Sequence, residues 1–472
     1  MNPDEFRKHA HNLVEWMADY MENVENFPVK SPVAPGDIFK KIPDTPPLKA
    51  ESFGSLMKEF DEIIMPGMTH WQHPNFFAYF PANTSPPSIL AEMIISTLGA
   101  QCMIWETSPA AAELEEKMMI WLRNMIGLPC SFEGVIQDTA STATLAAILT
   151  AREKVTAFSV NDEGAETAGT LRIYCSEQTH SSVEKAVKIS GIGRKNLVKI
   201  PVRDDFSMNS DKLQEAIDND LKKGFIPCCV VATLGTTGTT AIDPLRLVGE
   251  ICDKNRIWLH VDAAMAGTAL ILPEFQWMME GKEYIDSFVF NPHKWMFTNF
   301  DCTAYFVKDA GTLIKTFEVL PEYLKTRSRG KVNDYRDWGV PLGRRFRALK
   351  LWSVIRCYGI DGLRDKIRSH IGIASKLSAM ISKEVDFELL APVVICVVCF
   401  RYCPVGYNEE ELNKLNENLN HYLNDSGKLY LSHTVLKGKY TLRMVTAQTN
   451  VTLEHVEKAW EFIKSSARCL SA

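Results

Sequence analysis

The pentapeptide Asn291–Trp295 (NPHKW) contains the lysine whose neighbours best suit nucleophilic chemistry. Lys294 follows the apolar run Ser287–Phe290, so it lies at the carboxyl end of a predicted buried strand, where α/β sheets place their sites. An isolated lysine is ordinarily a solvated surface charge, but aromatic neighbours here predict partial burial. Burial favours the neutral amine, which attacks carbonyl groups. The sequence therefore predicts a lysine that forms a Schiff base.

A carboxylate occupies a comparable place at the end of another apolar run. Asp262 follows Ile257–Val261 (IWLHV) and precedes two alanines. Considered alone, an aspartate at this place is as readily a turn residue or a helix N-cap. Together with a lysine at a strand end, it suggests the carboxylate that keeps a pyridine nitrogen protonated. The pair predicts pyridoxal 5'-phosphate as the cofactor.

Two loops rich in small hydroxyl residues suit a phosphate or the wall of the same pocket. The segment Asp138–Thr144 (DTASTAT) precedes the helical run Leu145–Arg152, and backbone N–H groups at a helix start bind phosphate. The alternative is a hydroxyl-capped helix without a ligand. The loop Gly235–Thr239 (GTTGT) follows the apolar run Cys228–Leu234 and either lines the pocket or is a flexible loop.

The histidines and cysteines give weaker signals. His180 lies in a loop after the strand-like run Arg172–Cys175, where a histidine is more often structural than catalytic. His260, inside IWLHV, is predicted to be a hydrogen-bonded core residue. The cysteine-rich run 396–403 (CVVCFRYC) reads as a strand, which points residues three apart to opposite faces. No set of residues has the spacing of a metal site.

Short apolar runs alternate with amphipathic segments between residues 86 and 350, which predicts an α/β fold with a mostly parallel sheet. The predicted helices there include Ser182–Ile189 and Leu245–Lys254. Residues 1–85 are predicted to form a helical and extended arm that packs on a partner subunit, because they look too extended to fold alone. Residues 351–472 are predicted to form a small α+β domain.

The composition excludes several classes of protein. The chain of 472 residues has 52 basic and 58 acidic residues, and its net charge of −6 does not suggest nucleic-acid binding. The longest run free of charged and hydrogen-bonding side chains, Leu389–Phe400, is shorter than the roughly 20 residues of a membrane helix. The N-terminus lacks the apolar core of a signal peptide. Twelve scattered cysteines then predict a reduced, cytoplasmic protein.

Longer stretches around these residues resemble the group II pyridoxal-phosphate-dependent decarboxylases, and among them the aromatic-L-amino-acid decarboxylase family. The matching stretches are HPNFFAYFP (73–81), SPAAAELE (108–115), EQTHSSVEKA (177–186), VATLGTTGTT (231–240), WLHVDAAMAG (258–267), FNPHKWMFTNFDC (290–302) and PLGRRFRALKLW (341–352). The resemblance implies a fold-type I (aspartate aminotransferase-like) enzyme with helices on both faces of the sheet. It also implies a homodimer with active sites at the subunit interface.

The implied reaction converts an aromatic L-amino acid (tryptophan, 5-hydroxytryptophan, tyrosine, phenylalanine or DOPA) to its amine and carbon dioxide. The residues that match catalytic positions are Lys294, Asp262, His180 and Tyr323, the last of which matches the tyrosine of the family's mobile catalytic loop. The residues that match cofactor-binding positions are Thr139, Ala140, Ser141, His180, Thr237, Asp262, Ala264, Asn291, His293 and Lys294. Those that match substrate-pocket positions are Trp71, Tyr79, Phe80, Pro81, Met103 and Gly343.

Three alternatives stay open at this point. Related aldehyde synthases commonly replace the residue at position 180 or 323, and both residues here match the decarboxylase pattern. An aminotransferase shares the lysine and the aspartate but needs an arginine for the substrate carboxylate, and Arg344, Arg345 and Arg347 are candidates. A cofactor-free binding protein is the third alternative.

Overall fold

The computed structural model describes residues 1–319 and 331–471 of the chain. Its α-helices are α1 (Pro3–Asn23), α2 (Phe53–Glu59), α3 (Pro86–Leu98), α4 (Pro109–Met125), α5 (Ala140–Val155), α6 (Ser159–Glu163), α7 (Ser181–Ile189), α8 (Ser210–Lys222), α9 (Leu245–Asn255), α10 (Pro292–Trp295), α11 (Ala310–Phe317), α12 (Arg347–Ile381), α13 (Glu409–Asp425) and α14 (Leu453–Ser471). Its strands are β1 (Glu133–Gln137), β2 (Leu171–Ser176), β3 (Leu197–Ile200), β4 (Ile226–Thr233), β5 (Trp258–Asp262), β6 (Ser287–Phe290), β7 (Thr303–Val307), β8 (Phe387–Leu389), β9 (Val397–Tyr402), β10 (Ser432–Leu436) and β11 (Lys439–Val445).

The described residues form two compact units. The arm unit comprises residues 1–81, 373–390 and 398–472, and the sheet unit comprises residues 82–372 and 391–397. The arm unit therefore combines the N-terminal segment with most of the C-terminal segment. The three-part division with boundaries near residues 85 and 350 stays a prediction.

A seven-stranded sheet is the framework of the sheet unit. Its order is β1-β7-β6-β5-β4-β2-β3. The pairs from β6 through β5, β4 and β2 to β3 are parallel, whereas β7 is antiparallel to both β6 and β1. This mostly parallel α/β sheet confirms the predicted fold class.

Helices cover both faces of this sheet, as alternating side chains of β2 show. Ile173 and Cys175 belong to the apolar core that alanines of α5 and apolar residues of α7 complete. Tyr174 points to the other face, where its hydroxyl donates to Asp220 of α8 at 2.9 Å. Alanine is the strongest helix former and has the smallest side chain that still buries apolar area, so α5 packs closely on the sheet.

The arm unit is built on a smaller sheet of order β10-β11-β9-β8, whose pairs β10–β11 and β8–β9 are antiparallel. The helix α1 begins with a capping box, in which the Asn2 side chain accepts from the Glu5 N–H and Glu5 accepts from the Asn2 N–H. None of the residues of α1 is buried. The small α+β fold that the C-terminal sequence predicts is confirmed.

The predicted elements match the observed ones to within a few residues, and the cysteine-rich run forms β9 as expected. All twelve cysteines lie in the described residues, and none of them forms a disulfide there. Within the same residues, no helix is both long enough and apolar enough to cross a membrane.

Candidate active site

The carboxyl ends of four neighbouring strands bring the candidate residues to one edge of the sheet. β6 leads into Asn291–Lys294, β5 ends at Asp262, β4 leads into Gly235–Thr239, and β2 is followed by His180. These strands are adjacent in the order β6-β5-β4-β2 and parallel. Segments that are far apart in the sequence therefore meet where α/β sheets bind ligands.

Lys294 lies in the single turn of α10, directly after β6. Pro292 occupies the first helical position, and the Lys294 N–H donates to the Asn291 carbonyl at 3.0 Å. The next residue, Trp295, is fully buried and donates from Nε1 to Nδ1 of His370 at 2.9 Å. Lys294 itself is half-buried. The buried tryptophan anchors the turn and fixes the backbone from which the lysine extends.

Asp262 is the last residue of β5 and is only 5% exposed. Its Oδ1 accepts the Ala264 N–H at 3.0 Å, and its carbonyl accepts the Leu234 N–H at 2.9 Å. The Ala264 carbonyl in turn accepts the Asn291 N–H at 3.0 Å. Backbone hydrogen bonds thus fix the plane of the carboxylate and link it to the segment that contains Lys294.

The loop after β4 passes very close to the segment after β5. Gly235 has φ +87°, and a Cβ added there would lie 2.6 Å from the Cβ of Ala266. Only glycine combines this left-handed backbone with so close an approach. Thr237, in the same loop, is exposed, whereas Thr236 and Thr239 are buried and their hydroxyls hydrogen-bond each other at 3.1 Å.

His180 is the N-cap residue of α7. Its Nδ1 accepts the Ser182 N–H at 3.2 Å and lies 2.8 Å from the Ser182 hydroxyl. Although the residue keeps an exposed surface, burial lowers its pKa; the charge of Asp262 opposes this effect and that of Lys294 reinforces it. The charges of Asp262 and Lys294 therefore both act on His180. The ring is therefore neutral at pH 7, and its Nε2 carries the proton.

The start of α5 has the form of a phosphate site. Thr139 is the N-cap, and its hydroxyl accepts the Thr142 N–H at 3.3 Å. Ala140 and Ser141 fill the first turn, where N–H groups have no acceptor inside the helix. The cap bond confirms the hydroxyl-capped helix and leaves the helix dipole available to an anion.

Asn291 is held beside this helix start by a threonine. The Thr303 hydroxyl, at the first residue of β7, lies 2.9 Å from Oδ1 of Asn291 and 3.1 Å from the Asp138 carbonyl. Because β7 is antiparallel to its neighbours, its first residue reaches the edge where the parallel strands end. The contact with Oδ1 leaves the amide NH2 of Asn291 as a donor.

The side chain of His293 is oriented by a hydrogen bond from the backbone. The Cys302 N–H donates to Nδ1 of His293 at 2.9 Å, and the His293 N–H donates to the Cys302 carbonyl at 3.2 Å. Burial lowers the pKa of His293 to about 3, and the positive charge of Lys294 adds to this effect. The imidazole is therefore neutral and offers Nε2–H as a donor.

This set of donors fits a phosphate. Peptide N–H groups of a helix start, an amide NH2 and an imidazole N–H can all donate to phosphate oxygens, and none of them adds an opposing negative charge. The residues of the described chain therefore fit pyridoxal phosphate. No group of three or more histidines, cysteines and carboxylates is placed to bind a metal in the described residues.

His260 has the predicted core role. It is fully buried, its Nδ1 lies 2.9 Å from the Ser287 hydroxyl, and its Nε2 lies 3.4 Å from the Thr144 hydroxyl. Burial lowers its pKa to about 4.

The residues expected to form a substrate pocket are divided between the two units. Trp71, Tyr79, Phe80 and Pro81 belong to the arm unit, and Met103 and Gly343 belong to the sheet unit. In the arm unit the Trp71 ring lies 4.4 Å from that of Phe76 and 6.1 Å from that of Tyr79. Phe76 is fully buried and therefore belongs to the core.

In the sheet unit, Gly343 lies against Gln101. The Gln101 Oε1 accepts the Arg344 N–H at 2.7 Å, and a Cβ at residue 343 would lie 3.3 Å from the Gln101 Nε2. The Met103 carbonyl accepts the Arg336 N–H at 3.0 Å. Met103 and Gly343 are therefore fixed by separate backbone contacts.

The three arginines considered for a substrate carboxylate each pair with a carboxylate of the chain. Arg344 bonds to Glu115 at 2.5 Å, Arg347 bonds to both oxygens of Asp301 at 3.1 and 2.9 Å, and Arg345 pairs with Glu92. Each of the three guanidinium groups therefore already faces a carboxylate of the protein. Tyr323 lies outside the described residues.

Comparison with known proteins agrees with this geometry. Residues 35–403 match the pyridoxal-dependent decarboxylase conserved domain. The chain is 41% identical to tyrosine decarboxylase 4 of Petroselinum crispum, over 100% of this chain and 94% of the relative. It is also 41% identical to the phenylacetaldehyde synthase of Arabidopsis thaliana, over 100% of this chain and 97% of that relative.

A solved structure of Catharanthus roseus tryptophan decarboxylase in complex with L-tryptophan superposes with a TM-score of 0.94 at 38% identity, covering 100% of this chain and 99% of the other. The sheet, the strand-end site and these matches define a fold-type I pyridoxal phosphate enzyme. The chain belongs to the pyridoxal-dependent decarboxylase family.

Thr303 is the supporting residue that the sequence did not reveal. The signal available was its place at the start of an alternating run (TAYFV), eight residues after Trp295. That pattern predicts a strand but does not give its direction, on which the contact with Asn291 depends.

Proposed function

We propose that this chain decarboxylates an aromatic L-amino acid to the corresponding amine and carbon dioxide. The observation that carries the proposal is the placement of Lys294 after β6, Asp262 at the end of β5 and His180 after β2, all at the carboxyl ends of parallel strands of one sheet. The relatives support the substrate class, because those named above include a tyrosine decarboxylase and a tryptophan decarboxylase.

When bound, pyridoxal phosphate supplies an electron-withdrawing ring that accepts the electrons of the bond that breaks at the substrate α-carbon. Asp262 would hold a proton at the ring nitrogen, and its buried position would strengthen that interaction. Neutral His180 would contact the ring, because an uncharged imidazole does not repel a protonated pyridine. Lys294 would hold the cofactor covalently.

The first turn of α5 (Thr139, Ala140 and Ser141), the Asn291 amide and the His293 Nε2–H would hold the phosphate. Thr237 and Ala264, in the loops after β4 and β5, would line the cofactor. Tyr323 is the proposed proton donor at the α-carbon after carbon dioxide leaves, a role that rests on the sequence.

Trp71, Tyr79 and Phe80 are the proposed aromatic wall for the substrate ring, together with Pro81, Met103 and Gly343. Aromatic side chains bind aromatic rings through stacked and edge contacts. Trp71 and Tyr79 keep 38% and 50% of their surface exposed, so both present ring area to a ligand.

A homodimer, with active sites at its interface, is part of the proposal. Four apolar residues of α3 are exposed at spacings of three, four and eight from the first: Leu90, Met93, Ile94 and Leu98. Such a stripe lies on one helix face and is typical of a protein interface. In α1, Phe6, Val14 and Met21 are exposed as well. A second copy of the chain would cover these faces. A cytoplasmic location stays part of the proposal.

Aldehyde synthesis is the second candidate, because relatives of equal identity include a phenylacetaldehyde synthase. His180 and Tyr323 favour the simple decarboxylase. The ion pairs of Arg344, Arg345 and Arg347 weigh against an aminotransferase, because the three guanidinium groups are committed to carboxylates.

The test is a product assay with full-length protein and added cofactor. Tryptophan, tyrosine, phenylalanine and DOPA are the test substrates, and glutamate is the control. We expect amine and carbon dioxide in equal amounts from at least one aromatic substrate. Aldehyde, peroxide and ammonia in equal amounts would establish the second candidate, and turnover that requires an α-keto acid would indicate an aminotransferase.

A further inference from the structure

Five charged side chains cluster beside the loop Phe297–Cys302, which follows α10 and leads into β7. This charged cluster consists of Glu92, Asp301, Arg345, Arg347 and Lys350. All five residues belong to the sheet unit. The site described above does not use Lys350.

Lys350 is the most deeply buried member of the cluster. Its side chain is fully buried, and its Nζ lies 3.0 Å from the Glu92 carboxylate. The contact is an ion pair without the direction of a hydrogen bond, since Nζ has no hydrogen-bond partner in the described residues.

The cluster carries one positive charge in excess. Arg347 binds Asp301 through two hydrogen bonds, and Arg345 pairs with Glu92 and lies 3.7 Å from Asp301. Three cations thus face two carboxylates. The Arg347 pair keeps the pKa of Asp301 below its usual value even though burial raises it, so this carboxylate stays ionised at neutral pH.

The cluster is connected to the proposed phosphate site through the loop. Asp301 and Cys302 are adjacent, and the Cys302 N–H holds Nδ1 of His293 at 2.9 Å. Lys350 is close enough to His293 to oppose its protonation. At the other end of the loop, the Ser85 hydroxyl donates to the Phe297 carbonyl at 2.7 Å. The excess charge therefore lies next to the loop whose last residue holds His293, a residue of the proposed phosphate site.

We propose that Lys350 is a positioning residue whose buried charge favours binding of the cofactor phosphate through the Phe297–Cys302 loop and His293. The proposal rests on the placement of the phosphate at His293 given under Proposed function. A phosphate dianion bound next to a site with excess positive charge gains binding free energy, and the neutral His293 supplies none of that charge.

The titration of Lys350 gives the proposal a distinctive pH dependence. Burial lowers its pKa to about 8; Cys302 and Asp301 act in the opposite direction, and Arg345 and Arg347 add to the lowering. Glu92 faces it from α3. The Cys302 thiol is neutral, because burial raises its pKa to about 12. The extra charge is therefore present at pH 7 and lost as the pH rises to 9.

The experiment uses two probes that cannot link covalently to Lys294. Pyridoxamine 5'-phosphate and pyridoxamine share the ring, and only the first carries a phosphate. Their dissociation constants are measured by fluorescence titration of the full-length protein stripped of cofactor, at pH 7 and pH 9. Their ratio isolates the contribution of the phosphate from that of the ring.

For Lys350→Met at pH 7, we expect pyridoxamine phosphate to bind about three- to tenfold more weakly, with pyridoxamine unchanged. Lys282→Met is the matched control, because this half-buried lysine donates to the Gly127 carbonyl at 2.7 Å, far along the chain from the loop. In the wild type, the ratio by which pyridoxamine phosphate binds more tightly than pyridoxamine should be smaller at pH 9 than at pH 7. In Lys350→Met this ratio should be small at both pH values.

Lys350→Arg separates charge from packing. Since arginine stays charged at pH 9, this variant should keep the advantage of the phosphate at both pH values. An unchanged ratio in folded Lys350→Met, or a wild-type ratio that is the same at pH 7 and pH 9, would overturn the proposal. That wild-type series decides the question even if neither variant folds. A wild type that binds neither probe would instead contradict the proposed cofactor site.

Discussion

The sheet unit and the arm unit hold their candidate residues by different kinds of contact. In the sheet unit, Asp262, Asn291 and His293 lie at strand ends, and backbone groups hydrogen-bond to their side chains or main chains. In the arm unit, Trp71 and Tyr79 are partly exposed, and their rings contact neighbouring aromatic side chains.

This difference in contacts predicts which property of the enzyme depends on each unit. Backbone hydrogen bonds at strand ends do not depend on side-chain identity, so the chemistry is fixed by the fold itself. Ring contacts depend on the residue types present and change with single substitutions. We therefore expect changes in the sheet unit to affect the reaction, and changes in the arm unit to affect the choice of substrate.

The largest effect is expected for Lys294→Ala. Without the amine, the cofactor cannot attach covalently, so the visible absorption of the bound cofactor should disappear and kcat should fall by about 1,000-fold or more. Absorption spectra and a carbon dioxide assay measure both. Lys282→Ala is the control. A Lys294→Ala variant with wild-type turnover would contradict the assignment of the reaction to the sheet unit.

Tyr323→Phe tests the residue that only the sequence assigns. Removing the proposed proton donor should shift the products from amine toward aldehyde, peroxide and ammonia, while carbon dioxide is still released. Chromatography of the products gives the amine share. A wild-type amine share in this variant would remove Tyr323 from the mechanism.

Acid pH should destabilise the sheet unit. Burial lowers the pKa of His260 to about 4 and those of His293 and His370 to about 3. At pH values below about 6.5, the usual pKa of histidine in an unfolded chain, the unfolded chain binds protons that the folded chain does not. The free energy of unfolding therefore falls as the pH falls. Each of these histidines should contribute a loss of about 2 kcal/mol in the free energy of unfolding between pH 7 and pH 5.

Urea unfolding at both pH values measures this loss, and His260→Gln provides the comparison. Glutamine can keep hydrogen bonds to Ser287 and Thr144 but does not titrate, so the loss should be smaller by about 2 kcal/mol. Equal losses in the variant and the wild type would mean that His260 is not a buried neutral residue.

Thr303→Val should weaken cofactor binding by about tenfold, because it removes the hydroxyl that links Asn291 to the Asp138 carbonyl. The dissociation constant is measured by titration of the protein stripped of cofactor. Thr150→Val is the matched control, since the buried Thr150 hydroxyl bonds only within α5, to the Ala146 carbonyl at 2.7 Å. Equal binding by the two variants would show that Thr303 does not support the site.

The smallest effect is expected in the arm unit. Trp71→Leu should raise KM for an aromatic substrate by about threefold and leave kcat nearly unchanged, because it removes ring area without touching the cofactor. Trp277→Leu, an exposed tryptophan of the sheet unit, is the control. A fall in kcat as large as that of a sheet-unit variant would contradict the proposed division of labour.

The sequence was sufficient for those parts of the site that depend on local pattern. An apolar run followed by a polar residue predicts a strand end, so β5 with Asp262 and β6 with Lys294 were accessible. The core role of His260 followed from its place inside a strand. The α/β class followed from the alternation of strands and helices.

The features of the fold and the site that the sequence did not predict depend on contacts between segments that lie far apart in the sequence. The hydrogen bond from Thr303 to Asn291 needs the direction of β7, and the ion pairs of Arg344 and Arg347 need partners that lie far away in the sequence. Periodicity contains no such information. The same limit applies to the arm unit, where N-terminal and C-terminal residues share one small core that includes Val29 and Phe76.

The antiparallel direction of β7 also limits how the chain can be cut or lengthened. A parallel strand in this place would need a crossover of about a dozen residues or more, usually with a helix of its own. Here a short link joins Lys294 to Thr303, and its ends hold two residues of the proposed cofactor site. New chain termini, or an inserted peptide, between residues 296 and 302 would therefore separate attachment of the cofactor from support of its phosphate. Most other surface connections should tolerate new chain termini or an inserted peptide.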